Sequence, residues 1–150
     1  MNLLVSACLL GVNCRYCGTG CPNDKVLNLR KQHNLIPVCP EQLGGLPTPR
    51  EPVELVGGRA ITRSGTDRTT QFSRGAEEAL RLARLFHCGG AVLKARSPSC
   101  GIGKIYDGSF SGILTDGNGM TAEKLIQAGI PVYSEENCDK IPNESLERLI

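Results

Sequence analysis

Eight cysteines in 150 residues are the first chemistry this chain offers. A thiolate is both a nucleophile and a soft-metal ligand, so where the cysteines fall decides what they can do. Cys8, Cys39 and Cys100 each follow closely on a short apolar run: Leu3-Leu4-Val5, Leu35-Ile36-Pro37-Val38 and Ala91-Val92-Leu93. If these runs are parallel strands, the three thiols meet at the carboxyl edge of the sheet, where open α/β sheets bind ligands. Three thiolates with one coordination position left open suit a cubane iron–sulfur cluster with one iron free as a Lewis acid. They also suit a catalytic zinc, and spacing alone does not choose the metal. The plainer reading of each is a small buried hydrophobe.

A second constellation, Cys14-x2-Cys17-x3-Cys21 in a glycine-rich loop, has the look of a metal loop or a reactive-thiol loop. It supports a competing function, a metal-binding or redox-sensing module without turnover. Cys88 and Cys138 read as structural. With 2 histidines in the chain, a histidine-rich site is excluded.

These residues need elements to hold them, and the pattern supplies strands alternating with helices. A helix is expected from Pro22, a tolerated first-turn proline, to His33. The Leu35–Val38 strand is an edge or a strand end because it contains Pro37. Residues 40–70 are rich in Gly, Pro and polar side chains and read mostly as loop, of a length that tends to be functional. The clearest helix runs from Thr70 to His87, with Phe72, Ala76, Ala79, Leu80, Ala83 and Phe86 on one face and Gly89-Gly90 as the stop. A hairpin is expected around residues 105–113, a short helix over Thr121–Ala128, and a last strand over Ile130–Tyr133. The expectation is one α/β domain over 1–150, small, Rossmann-like and three-layered, with a mainly parallel sheet and helices on both faces.

Composition narrows the class. A formal charge of +2 and an apolar fraction of 40% fit a globular chain. Such a charge argues against a protein built to grip phosphates, so no nucleic-acid partner is expected. No apolar run approaches the roughly 20 residues of a membrane span. The start, with no positively charged segment ahead of its apolar run, reads as a strand rather than a secretion signal. Cysteine-rich and without that signal, the chain is expected in the reducing cytoplasm.

Several ordered blocks together are more specific than any cysteine pair. Ser6-Ala7-Cys8-Leu9-Leu10-Gly11 is followed by Pro37-Val38-Cys39-Pro40-Glu41 with Gly44-Gly45-Leu46-Pro47 and Pro49-Arg50. Ser97-Pro98-Ser99-Cys100-Gly101 with Ile105-Tyr106-Asp107-Gly108 comes next, and Asp67, Thr69, Phe72, Gly75 and Ala76 lie between. From Ser6 to about Glu135 the sequence resembles the bacterial domain-of-unknown-function 523 family, some members of which are thiouracil desulfidases. The resemblance implies removal of sulfur from 2-thiouracil, giving uracil and sulfide, by a 4Fe–4S cluster. It implies Cys8, Cys39 and Cys100 as cluster ligands and Glu41 and Ser97 as catalytic residues. One position departs from the family pattern: Arg15-Tyr16-Cys17-Gly18 stands where Arg-Tyr-Asp-Gly is common.

The chemistry then expected is Lewis-acid activation of the thiocarbonyl carbon of a thiolated pyrimidine and attack by water. Glu41 takes the proton, which near neutrality calls for burial beside an apolar wall. Ser97 donates to, or relays a proton to, the ring. The plainer roles are a helix-start carboxylate for Glu41 and a cap of the turn before Pro98 for Ser97. Asp67 and Asp107 read as turn residues, and Arg50, Lys94 and Arg96 as solvated charges. Gly101-Ile102-Gly103-Lys104 offers backbone N–H groups to an anion.

Overall fold

The structure, a computed structural model, describes residues 1–142. Its centre is a four-stranded parallel sheet in the order β2-β1-β5-β8: β1 (Asn2–Ser6), β2 (Asn34–Val38), β5 (Gly90–Val92) and β8 (Val132–Tyr133). β1 pairs with β2 from Asn2↔Asn34 to Ser6↔Val38 and with β5 from Leu3↔Gly90 to Val5↔Val92. A central parallel strand is covered on both faces and therefore reads as an unbroken apolar run. Leu3, Leu4 and Val5 accordingly have no exposed surface. β2 is an edge, the place where Pro37 is tolerated because its missing N–H breaks no ladder.

Successive strand residues point to opposite faces. Leu4 and Val38 meet Ala79, Leu80 and Ala83 of α3 (Thr69–Leu85) and Ala122 and Leu125 of α4 (Met120–Gln127). Leu3, Val5 and Val92 meet Cys8, Leu9, Val26 and Cys138 in a separate cluster. Burying each large aliphatic side chain is worth about 1.5–3 kcal/mol, so these two clusters carry most of the folding drive. The fold is mixed α/β with a mainly parallel sheet.

Three expected elements differ. The helix after Pro22 is short: α1 (Asp24–Asn28), with Asn23 capping Val26 N–H, passes into a 3-10 turn at Leu29–Lys31. Residues 40–70 are not mostly loop. They hold α2 (Pro40–Leu43) and an antiparallel hairpin, β3 (Val53–Val56) with β4 (Arg59–Thr62). The stop of α3 is made by Phe86 and by His87, which takes φ 50, while Gly90 already belongs to β5. The later hairpin forms as β6 (Lys104–Tyr106) and β7 (Leu114–Asp116). Among the described residues no helix is long and apolar enough to cross a membrane.

Two close backbone approaches set the elements that matter for the site. A β-carbon on Gly75 would stand 1.9 Å from the Pro40 carbonyl oxygen, and one on Gly44 would stand 1.9 Å from that of Gln71. Only with glycine at both can α2 lie directly on α3. Likewise a β-carbon on Gly119 would fall 2.4 Å from the Ser99 carbonyl carbon, so the turn at 97–100 lies tight against the start of α4.

Candidate active site

A cavity of about 400 Å³ opens beyond the carboxyl ends of β1, β2 and β5. Cys8 reaches it from a 3-10 turn (Ala7–Leu10) that begins where β1 ends and is closed by Gly11 at φ 97. Cys39 is the residue between β2 and α2, and Glu41 sits in the first turn of α2. Cys100 closes the turn after β5. Ser97 Oγ accepts the N–H groups of Ser99 and Cys100, both at 3.1 Å, and the buried Ser99 hydroxyl meets Thr121 Oγ1 at 2.9 Å. Cys8, Cys39, Cys100, Glu41 and Ser97 all line this one cavity.

The thiols influence one another. Burial pushes the Cys8 thiol far up, and the neighbouring Cys21 and Cys100 add to it. Cys100 is pushed up to about 12, first by burial, with Glu41 and Cys39 raising it and hydrogen bonds from Ser6 and Ser99 opposing. A protein that keeps several buried thiols so close, with no disulfide among them, has a donor set suited to a soft metal, which takes thiolates and displaces their protons. Among the described residues no three His, Cys, Asp or Glu side chains are gathered tightly enough for a single metal ion. Three thiols lining one cavity are a donor set that the separate irons of a cubane could share, one thiolate each.

The Cys14-Cys17-Cys21 loop does not form a site of its own. Cys14 turns inward to line the cavity, its thiol raised to about 12 by burial and by Cys39. Cys21 lies beside Cys8. Cys17 is exposed, its thiol lowered chiefly by a hydrogen bond with Thr19 Oγ1 at 3.0 Å. Cys14 and Cys21 both turn toward Cys8, and Cys17 is the one that faces solvent. Cys138 is buried in the cluster with Leu3 and Val5, and Cys88 is half-buried against the other cluster, with Leu4 and Ala83.

The Glu41 carboxylate stands against charge, not against an apolar wall: Arg50 Nε donates to its Oε1 at 3.0 Å. Arg50 is therefore no solvated cation. Its side chain is 6% exposed and that of Glu41 15%. Lys94 pairs with Glu135 at 3.0 Å and Arg96 with Glu136 at 3.1 Å, and both line the cavity. Asp67 and Asp107 are turn residues, accepting the N–H groups of Thr69 and Ser109. The Gly101 and Gly103 N–H groups are already taken by Ser97 O and Asn118 Oδ1, which leaves them no anion to hold.

Sequence reasoning missed the opposite wall. Glu54 on β3 accepts the N–H groups of Gly108 and Phe110, each at 3.0 Å, and fixes Phe110 at φ 56. The Arg63 guanidinium lies 5.6 Å from the centre of the Phe110 ring, a cation–π contact at the cavity. A bulky residue in the left-handed region is rare enough to mark a place where structure overrides local preference.

Comparison with known proteins agrees over the whole chain. A family model described as 2-thiouracil desulfurase matches residues 3–137. A Bacillus subtilis (strain 168) protein described as uncharacterized protein YbbK is 41% identical over 149 residues, covering 93% of this chain and 99% of that one. A solved structure described as the 4Fe-4S-dependent thiouracil desulfidase TudS is 40% identical, with a TM-score of 0.89 and 99% of each chain covered.

Proposed function

The chain belongs to the 2-thiouracil desulfurase family, and from that premise we propose that it is a 4Fe–4S-dependent desulfidase converting a thiolated pyrimidine of the 2-thiouracil kind, with water, to uracil and sulfide. The observation that carries the proposal is the single cavity shared by Cys8, Cys39, Cys100, Glu41 and Ser97. Cys8, Cys39 and Cys100 would hold the cluster. When bound it supplies a Lewis acid, since three protein ligands leave one iron open to the thiocarbonyl sulfur.

The remaining work falls to the chain's own groups. Glu41 Oε1 is engaged by Arg50, which leaves Oε2 to accept a proton from the attacking water. Ser97 Oγ already accepts two backbone N–H groups. Its own O–H hydrogen is then free to donate toward the pyrimidine ring, so the turn cap and the catalytic role are one arrangement. The reaction is hydrolytic: carbon exchanges sulfur for oxygen and no net electron passes.

We further read the chain as one Rossmann-like three-layer domain, expected over 1–150 with residues 143–150 outside the described residues, a reading supported by apolar clusters on both faces of the sheet. A reducing, cytoplasmic setting suits eight unpaired cysteines.

The test is anaerobic reconstitution with iron and sulfide, then incubation with 2-thiouracil. About four irons per chain, with uracil and sulfide released in equal amounts, is the expected result. A reconstituted protein that holds its cluster but releases neither product sinks the proposal.

A further inference from the structure

Resting on the reading of Glu41 as the proton acceptor, we infer that Arg50 is a positioning residue that aims the Glu41 carboxylate into the cavity. A guanidinium carries five N–H donors in one rigid plane. In Arg50, four of them are used: Nε to Glu41 Oε1 at 3.0 Å, Nη1 to Pro47 O at 3.1 Å and Thr48 Oγ1 at 2.9 Å, and Nη2 to Cys14 O at 2.9 Å.

Three of these bonds run to groups other than Glu41, two of them main-chain carbonyls. They fix the guanidinium plane without help from the carboxylate. The direction of control follows: the turn at 47–50 and the first loop set Arg50, and Arg50 sets Glu41. With Oε1 held, the free oxygen is Oε2. No unpartnered side-chain oxygen among the described residues is buried, so Oε2 keeps some exposed surface, on a residue that lines the cavity.

Arg50 also joins the carboxylate to the thiols. The Cys14 carbonyl that accepts from Nη2 accepts from Cys39 Sγ as well, at 3.6 Å. Arg50 N–H donates to Tyr16 O at 2.8 Å, which fastens the same loop again through the main chain. A lysine cannot replace this geometry, since an ammonium is a point charge without a planar fork.

The experiment compares Arg50→Lys, Arg50→Ala and Glu41→Gln, alone and combined, in cluster-loaded protein. Arg50→Lys is expected to keep its iron content and visible spectrum, to lose kcat by about 10- to 100-fold, and to hold KM within about 3-fold, as a misaimed but intact base would. Combined with Glu41→Gln, it adds little further loss, because both act through one group. Guanidinium ion restores part of kcat to Arg50→Ala and none to Glu41→Gln. Without reference to activity, a crystal structure of Arg50→Lys shows the Glu41 carboxylate turned from its place.

Losses that multiply in the double variant, a raised KM with kcat intact, loss of iron by Arg50→Lys, or an unmoved Glu41 in that crystal would each overturn the inference. If Arg50→Ala does not fold, Arg50→Lys carries the test. Wild-type protein that holds a cluster but turns over no thiouracil defeats the proposed function instead, and the crystal structure still decides whether Arg50 aims Glu41.

Discussion

The cavity has two unlike walls. The inner wall is made where β1, β2 and β5 end, and its thiols Cys8, Cys14, Cys39 and Cys100 are buried or nearly so. The outer wall comes from the two antiparallel hairpins, where Arg63 is exposed and Phe110 half-buried. Strand ends of a buried parallel sheet are the most rigid part of such a fold, and loops and hairpins are the more yielding. The difference suggests a division of labour: the inner wall holds the reactive groups in place, and the outer wall meets whatever part of the substrate extends beyond the reacting carbon.

The sharpest way to break that comparison is to remove thiols from each side of it. Cys8→Ala, Cys39→Ala and Cys100→Ala are each expected to abolish cluster retention and to take turnover below detection, read by iron content and by the uracil released. Cys17→Ala, on the solvent side of the first loop, is expected to keep both within about 2-fold, because its side chain is exposed and, among the described residues, bonds only to Thr19. Iron retained by any of the first three variants would remove that residue from the proposed ligand set.

A smaller effect tests the outer wall. Phe110→Ala and Arg63→Ala are expected to raise KM by about 3- to 10-fold while kcat stays within about 2-fold, the mark of binding lost equally in ground and transition states. A fall in kcat with KM unchanged would place these residues in the chemistry and dissolve the division.

The same contrast explains what could be read from the sequence. Cys8, Cys39 and Cys100 follow apolar runs that become parallel strands, and parallel strands end on one side, so their shared cavity is a consequence of topology. The unbroken Leu3-Leu4-Val5 run and the stripe on α3 were legible for the same reason: burial leaves a period in the sequence. Arg50 left no such trace. Its burial depends on carbonyl groups of Cys14 and Pro47, and main-chain acceptors have no residue signature. The splitting of Cys14, Cys17 and Cys21 was hidden too, because a C-x2-C-x3-C spacing does not say which way each side chain turns. The β3–β4 hairpin was obscured by the surrounding Gly and Pro, and its strands are short and half-exposed. The contact of α2 with α3 was invisible for another reason: Gly44 and Gly75 stand in the blocks that carry the resemblance, but only the backbone contact each makes says why they are glycines.

The smallest predicted effect concerns the joint between the outer hairpin and α3, which carries α2 and so the inner wall. Asp67 Oδ1 accepts Thr69 N–H at 2.8 Å and its Oδ2 accepts from Arg59 Nε at 2.6 Å, tying β4 to the start of α3. These partners lower the Asp67 carboxyl from 3.8 to about 2, the Thr69 hydrogen bonds first and Arg59 after them. A depressed carboxyl stabilises the fold above its unfolded pKa, and the contribution is lost as pH falls toward the folded value. Asp67→Asn is therefore expected to lower Tm slightly at pH 6 to 7, and the gap to wild type should close between about pH 4 and pH 2. The effect stays small because the group is exposed and screened by water. Thermal denaturation followed by circular dichroism over that pH range reads it directly. A gap that stays constant down to pH 2 would mean that Asp67 acts only as a turn former, with its charge irrelevant to the joint, which would then be held by Ala60 N–H to Thr69 Oγ1 at 3.0 Å and Arg68 N–H to Ala60 O at 2.7 Å.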